Sequence, residues 1–322
     1  MRLGLHSIFL SLFIAASSLC AQAEMVVSHK TAGLEYPENT YEGFLASLAM
    51  PVDAIEIDLH VTKDKQLVLH HDPVLSSYNC FEKTSQQRVV IAQTPVSDLL
   101  ALKCFNHKVD AAYRLSKFSD VLDAYAESDQ SKLLLVEVKV WDELIENNPL
   151  HKDLDTEAMH YPHKQVARLV YEQLRLYDLK NNIVFNTFSR ELLLELKALQ
   201  QPDEKFEYGL LYKGEYSPWK LGLIAFFSPL ECYDACWAPD YSEAKKWLET
   251  NDIEYFIPNF AQLNNILFRW GYKRHIKGKS LAFKVIPWTL NDQSAWKKYR
   301  DYHFDGIITD VPSLYLESMD GR

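Results

Sequence analysis

The sequence lacks any excess of positive charge. Its formal net charge is −10, which argues against nucleic acid as a partner. No basic amphipathic helix stands out for a membrane surface. No apolar run reaches the ~20 residues that would span a bilayer. No Cys–His cluster has the spacing of a zinc site, and no segment has the composition of a disordered or low-complexity region. What remains is an ordinary globular composition, 48% hydrophobic and 24% charged over 322 residues. Aromatic residues, 13% of the chain, suit a large core and a site with flat walls.

The N-terminus has the form of a signal peptide. Arg2 is the only charged residue before Glu24, and an apolar stretch from Ile8 to Leu19 is broken only by serines. Ala21 and Ala23 place small residues where a signal peptidase reads, so cleavage is expected after Ala23. Leu19 before Cys20 does not fit a lipoprotein. The expected product is one secreted domain over residues 24–322 with no stable membrane anchor, periplasmic in a Gram-negative source and extracellular otherwise. It keeps Cys80, Cys104, Cys232 and Cys236. Four cysteines in an exported chain suggest two disulfides. Closeness in sequence favours Cys80–Cys104 and Cys232–Cys236.

Short β-rich runs alternate with helix-period runs, the pattern of β/α folds. Strands are predicted at Met25–Ser28, Ala54–Leu59, Lys132–Val138, Ile183–Asn186, Glu207–Leu211, Glu254–Pro258, Lys284–Trp288 and Gly306–Thr309. That makes eight. An extra strand at Gln66–His70 is expected to pair with the end of the second. Thr40, Ser189 and Asp292 can cap helices. The buried faces of the intervening helices are expected to carry Phe44, Leu45 and Leu48; Val166, Leu169, Val170 and Leu174; Leu192, Leu193, Leu196 and Leu199; and Trp296 and Tyr299. The implied fold is an α/β barrel of the (β/α)8 type, which needs roughly 250 residues. Insertions at 71–131 and 212–253 would follow strands and so line the face where barrel sites lie.

The chemistry concentrates on two strands. Side chains alternate along a strand, so Ile55, Ile57 and Leu59 share one face while Glu56 and Asp58 share the other. The outer face of a parallel barrel packs on helices, which sends the two carboxylates inward. Leu134, Val136 and Val138 likewise fit the outside, leaving Glu137 and Lys139 inside. Glu56, Asp58 and Glu137 then converge, and three confined negative charges require a cation. An all-oxygen set favours Mg²⁺ or Ca²⁺. His29 and His71 follow strands and can supply a proton acceptor and a proton donor near neutral pH. Lys30 and Lys139 can add positive charge for a phosphate. His60, His70, His107, His151, His160, His163, His275 and His303 are read as surface or satisfied core residues.

The run His29-Lys30, Pro37-Glu38-Asn39-Thr40, Glu56-Ile57-Asp58, His71-Asp72 resembles the signature of the glycerophosphodiester phosphodiesterases. Glu137-Val138-Lys139, Trp288-Thr289-Leu290-Asn291 and Gly306 to Asp310 resemble further family segments, in family order. The resemblance implies a β/α barrel that cleaves a small-molecule glycerophosphodiester to an alcohol and glycerol 3-phosphate. It implies a divalent cation on Glu56, Asp58 and Glu137, His29 and His71 as the acid–base pair, and Trp288 as a wall for the glycerol. Two departures bear on the phosphate: Lys30 stands where the family has arginine, and Thr31-Ala32 precede Gly33. They leave open a related lipid phosphodiesterase. A non-catalytic phosphoester-binding barrel is a further alternative, although every ligand and histidine is in place.

Overall fold

The computed structural model describes residues 24–140, 161–179, 182–216, 237–302 and 304–320. Eight parallel strands form the centre: β1 Met25–Ser28, β2 Ala54–Val61, β3 Leu133–Val138, β4 Ile183–Thr187, β5 Glu207–Tyr212, β6 Tyr255–Pro258, β7 Lys284–Val285 and β8 Gly306–Thr309. Each pairs in parallel with its neighbour from β7 through β1 to β8. Between β7 and β8 there is no regular ladder. Three backbone bonds cross that seam instead: Asp305 N–H to Val285, Ile308 N–H to Pro287 and Leu290 N–H to Ile308, at 2.9–3.0 Å. Strand β7 is shorter than predicted because Pro287 has no N–H to give. Ile286 and Trp288 still donate to Phe256 and Pro258 of β6.

Among the described residues, eight helices surround the sheet: α1 Tyr41–Ala49, α2 Phe118–Glu127, α3 His163–Leu174, α4 Arg190–Leu199, α5 Tyr241–Thr250, α6 Ile266–His275, α7 Gln293–Tyr299 and α8 Pro312–Asp320. All three expected caps are in place. The side chains of Thr40, Ser189 and Asp292 accept from Gly43 N, Leu192 N and Ala295 N, each such cap stabilising its helix by roughly 1 kcal/mol.

Ile55, Ile57, Leu59, Leu134, Val136 and Val138 face the helices, as the alternation requires, and join the large outer core. Val27, Leu135, Val184, Ile257, Ile286 and Ile308 fill the inside. Truncating a fully buried isoleucine such as Ile57 to alanine would cost about 2–5 kcal/mol. One helix face differs from expectation. Leu45 is 43% exposed, and α1 buries Gly43, Phe44 and Ser47 instead. This rotation lets Ser47 Oγ meet Ser28 Oγ at the end of β1 (2.9 Å).

The first insertion leaves the barrel where Leu67–Leu69 pairs antiparallel with Leu59–Val61, as predicted, and returns at Ser116–Lys117. It has its own small core of Val68, Leu75, Cys80, Ile91, Leu99, Cys104 and Leu115. Cys80 and Cys104 form a disulfide. The leader, Cys232, Cys236, His151, His160 and His303, and the side chain of Tyr299, lie outside the described residues. Among the described residues no helix is long and apolar enough to cross a membrane. Helix α6 does present Ile266, Leu267 and Trp270 to solvent beside Arg269, Lys273 and Arg274, an apolar and basic surface that the sequence reading did not single out.

Candidate active site

The centre of the site follows from register. Asp58 of β2 stands directly opposite Glu137 of β3, and neighbouring strands lie only ~4.8 Å apart. Glu56, two residues earlier on β2, shares their face. Oxygen atoms of all three lie within 4.8 Å of one another, and all three residues are buried.

Burial, then repulsion from Asp58 and Glu137, pushes the Glu56 carboxyl well above its ordinary range. Burial raises Glu137 as well, against the opposing pull of Lys139. Burial also opposes ionisation of Asp58, but Lys139, His71, Lys30 and His29 together hold it down. Lys139 reaches Asp58 Oδ1 at 2.9 Å and also bonds Glu137 Oε1. It therefore neutralises part of the cluster from within.

The donor set fits a hard divalent cation. Three carboxylates converge, and Glu56 Oε1 is buried without a hydrogen-bond partner. Such an orphaned acceptor is costly unless a cation or proton meets it. Asn39 fixes the middle ligand, donating to Asp58 Oδ2 (2.7 Å) while its own Oδ1 accepts from Asp58 N (2.9 Å).

His29 is carried on an unusual turn at the end of β1. Lys30, Thr31 and Ala32 all adopt left-handed conformations, with φ of 49°, 60° and 62°. This costs about 1–2 kcal/mol per non-glycine residue. Tertiary contacts hold the turn. Lys30 N–H donates to Glu56 Oε2 (2.8 Å), and Asn39 N–H donates to Lys30 O (2.9 Å). Gly43 permits the close approach of α1, since a Cβ there would meet Thr31 Oγ1 at 2.6 Å. Burial works against the Lys30 charge, but Glu38, Asp58 and Asp310 raise its pKa.

The two histidines are oriented alike. His29 Nδ1 meets Asp310 Oδ1 at 2.6 Å, and Asp310 is gripped by Asn291, which donates to Oδ2 (2.7 Å) and accepts from Asp310 N (2.9 Å). His71 Nδ1 meets Asp72 Oδ1 at 2.8 Å, and Asn79 donates to Asp72 Oδ2 (2.8 Å). Burial opposes ionisation at both aspartates, yet the adjacent histidine in each case holds the carboxyl well below its usual range. An ionised acceptor at Nδ1 leaves Nε2 free for proton transfer. Burial, then Lys30 and Lys139, lowers the His71 pKa.

The remaining expected residues are close by. Trp288 donates Nε1–H to Ile257 O (3.0 Å) and packs edge-on against Phe188, so it is fixed in the interior wall beneath the mouth. His60 is buried and held to about 3 by that burial. His70 departs from the reading of a satisfied core histidine: Nδ1 approaches Asp72 O (2.7 Å), but the buried Nε2 has no partner. Asn39, Asp72, Asn79, Asn291 and Asp310 support the site without having been assigned roles from sequence. Some lay in quoted motifs, but their partners are created only by the fold.

Comparison with known proteins follows the same lines. The profile of the glycerophosphoryl diester phosphodiesterase family matches residues 29–314. A glycerophosphodiester phosphodiesterase of Bacillus subtilis is 25% identical over 331 residues, covering 100% of this chain and 96% of that protein. A human lysophospholipase D is 23% identical, covering 89% and 83%. A solved phosphodiesterase from Oleispira antarctica, in complex with sn-glycerol-3-phosphate, superposes with a TM-score of 0.61 at 18% identity, covering 92% and 96%.

Proposed function

The chain belongs to the glycerophosphoryl diester phosphodiesterase family, and from that premise we propose that His29 and His71 act as a paired proton acceptor and donor on a glycerophosphodiester, releasing an alcohol and glycerol 3-phosphate. The carrying observation is the arrangement of two aspartate-oriented imidazoles, His29–Asp310 and His71–Asp72, around one buried carboxylate cluster. Glu56, Asp58 and Glu137 would hold the cation, and the all-oxygen set suits Mg²⁺ or Ca²⁺. When bound, such an ion supplies Lewis acidity that draws charge from a phosphoryl oxygen.

The protein's own groups do the rest. One Nε2 takes a proton from the glycerol hydroxyl beside the phosphate as it attacks, the other returns a proton to the departing alkoxide oxygen, and water then opens the cyclic phosphate to glycerol 3-phosphate. Asp310 and Asp72 stabilise each imidazole in its protonated form, after proton transfer for the base and before it for the acid. Lys30 offers a point charge to the phosphate where an arginine would offer a bidentate grip. Similarity to the human lysophospholipase D supports a second reading, in which the same centre takes an acylated glycerophosphodiester.

Glycerol 3-phosphate release from glycerophosphocholine, with and without a chelator, tests the proposal. Release should vanish with chelator and return with Mg²⁺ or Ca²⁺. His29→Ala and His71→Ala should each cost roughly 10²–10⁴-fold; full activity in either variant would remove that histidine from the mechanism. Release only from an acylated substrate would favour the second reading. We also place the mature protein outside the cytoplasm. The leader-like residues 1–23 support this, as does the Cys80–Cys104 disulfide, a bond that persists in oxidising compartments.

A further inference from the structure

The chain is acidic overall, but its charge is unevenly distributed. Residues 255–291 contain no aspartate or glutamate, while carrying Arg269, Lys273, Arg274, Lys277, Lys279 and Lys284. Helix α6 lies in the middle of that stretch. Ile266, Leu267 and Trp270 are 70%, 59% and 59% exposed. A single exposed leucine would need no explanation. Here three large apolar side chains are adjacent, and the spacing i, i+4, i+7, i+8 puts Ile266, Trp270, Lys273 and Arg274 on one helix face. The Arg274 guanidinium lies over the Trp270 ring, 5.0 Å from its centroid. The opposite side of α6 is anchored by Tyr272, buried against Tyr241 and Tyr302, so the exposed face cannot rotate inward.

We propose that this face of α6 docks the protein onto an anionic phospholipid bilayer. Ile266, Leu267 and Trp270 enter the headgroup boundary, and Arg269, Lys273 and Arg274 meet the negative surface. Apolar and aromatic residues framed by Lys and Arg are the composition of interfacial helices, and Trp favours that boundary. Charge complementarity selects the occupant: α6 carries Arg269, Lys273 and Arg274 and no acid of its own, so its exposed face is suited to approach a negative plane. The placement is also useful. In a β/α barrel the helix after a strand begins at the catalytic face, so Ile266 and Leu267 stand at the rim. The connection from β6 is tied to the wall of the site, where Phe260 N–H donates to Trp288 O (2.7 Å). Docking there would hold the mouth of the barrel against lipid. The inference does not depend on which phosphodiester the centre cleaves.

Co-sedimentation with vesicles tests it, comparing phosphatidylcholine alone with phosphatidylcholine mixed with phosphatidylglycerol. The mature protein should partition onto the mixed vesicles at low salt and be released as salt screens the charge. Each surface Lys or Arg contributes about fivefold to such binding, so Lys273→Glu with Arg274→Glu should weaken it by at least roughly 25-fold. Leu267→Ser with Trp270→Ser should also abolish partitioning, and both double variants should hydrolyse glycerophosphocholine at the unaltered rate. No wild-type partitioning, or partitioning by either double variant equal to that of the wild type, would overturn the proposal. So would a wild-type dimer in sedimentation equilibrium that Leu267→Ser with Trp270→Ser renders monomeric, since the occupant would then be a second copy of the chain.

Discussion

His29 and His71 present the same device on two different supports. Each has Nδ1 on an aspartate that an asparagine grips in turn. The His29 assembly joins the end of β1 to Asp310, 281 residues away, across the closure of the barrel. The His71 assembly is local. Asp72 is its neighbour in sequence, Asn79 is seven residues beyond Asp72, and all three belong to the insertion. The rings also differ in depth, with side-chain exposures of 12% for His29 and 37% for His71. The lesson is that orientation can come from barrel closure or from a small, separately braced unit, and that damage to the two supports should read out differently.

Replacing the aspartates gives the largest expected effect. In Asp310→Asn or Asp72→Asn the amide can turn its N–H towards Nδ1 and leave the wrong tautomer at Nε2. Each substitution should lower kcat by about 10²-fold or more, measured as glycerol 3-phosphate release. Stability should separate them. The Asp310 carboxylate ties His29, at the end of β1, to Asn291, beyond β7, so Asp310→Asn should lower the melting temperature as well as the rate. Equal melting losses in the two variants would erase the distinction between barrel and insertion.

The disulfide sharpens the comparison at a smaller scale. Cys80 and Cys104, 24 residues apart, brace the little core behind His71. Cys80→Ser with Cys104→Ser should destabilise the insertion by about 2–4 kcal/mol and reduce activity. Protection of the barrel strands in hydrogen exchange should remain. If protection of β1 and β8 fell as much as that of Leu75 and Ile91, the insertion would not be an independently yielding unit.

The same division governs what the sequence discloses. Alternation on β2 and β3 requires no long-range knowledge, so the inward placement of Glu56, Asp58 and Glu137 is legible from Ile55, Ile57, Leu134 and Val136. Thr40, Ser189 and Asp292 mark helix starts because capping is local chemistry. The turn at Lys30–Ala32 is not legible. Its left-handed backbone runs against local preference and exists because Glu56, Asn39 and α1 hold it. Asp310 and Asn291 stand in recognisable segments, yet their service to His29 appears only when the barrel closes. The exposure of Leu45 and the apolar face of α6 depend on where each helix rests, which a periodic pattern constrains only loosely.

The carboxylate cluster lies between the two histidine supports and has a pH response of its own, set first by burial. Burial raises Glu56 and Glu137 above their unfolded values. Without a cation, such groups cost nothing at a pH below the unfolded value, near 4.3, and destabilise the fold increasingly as pH rises beyond it. Asp58 is shifted the other way, but its contribution changes only below about pH 4, so it does not offset the loss above pH 5. A cation needs the ionised carboxylates and relieves their repulsion, so its stabilisation grows over the same interval. Adding Mg²⁺ or Ca²⁺ at ten times its dissociation constant should raise the melting temperature by roughly 3–6 °C at pH 8. At pH 5 the same concentration should have almost no effect. Glu56→Gln should flatten this pH dependence while leaving the His29–Asp310 and His71–Asp72 contacts in place. A cation shift that stayed constant from pH 5 to pH 8 would mean that the ion binds away from Glu56, Asp58 and Glu137.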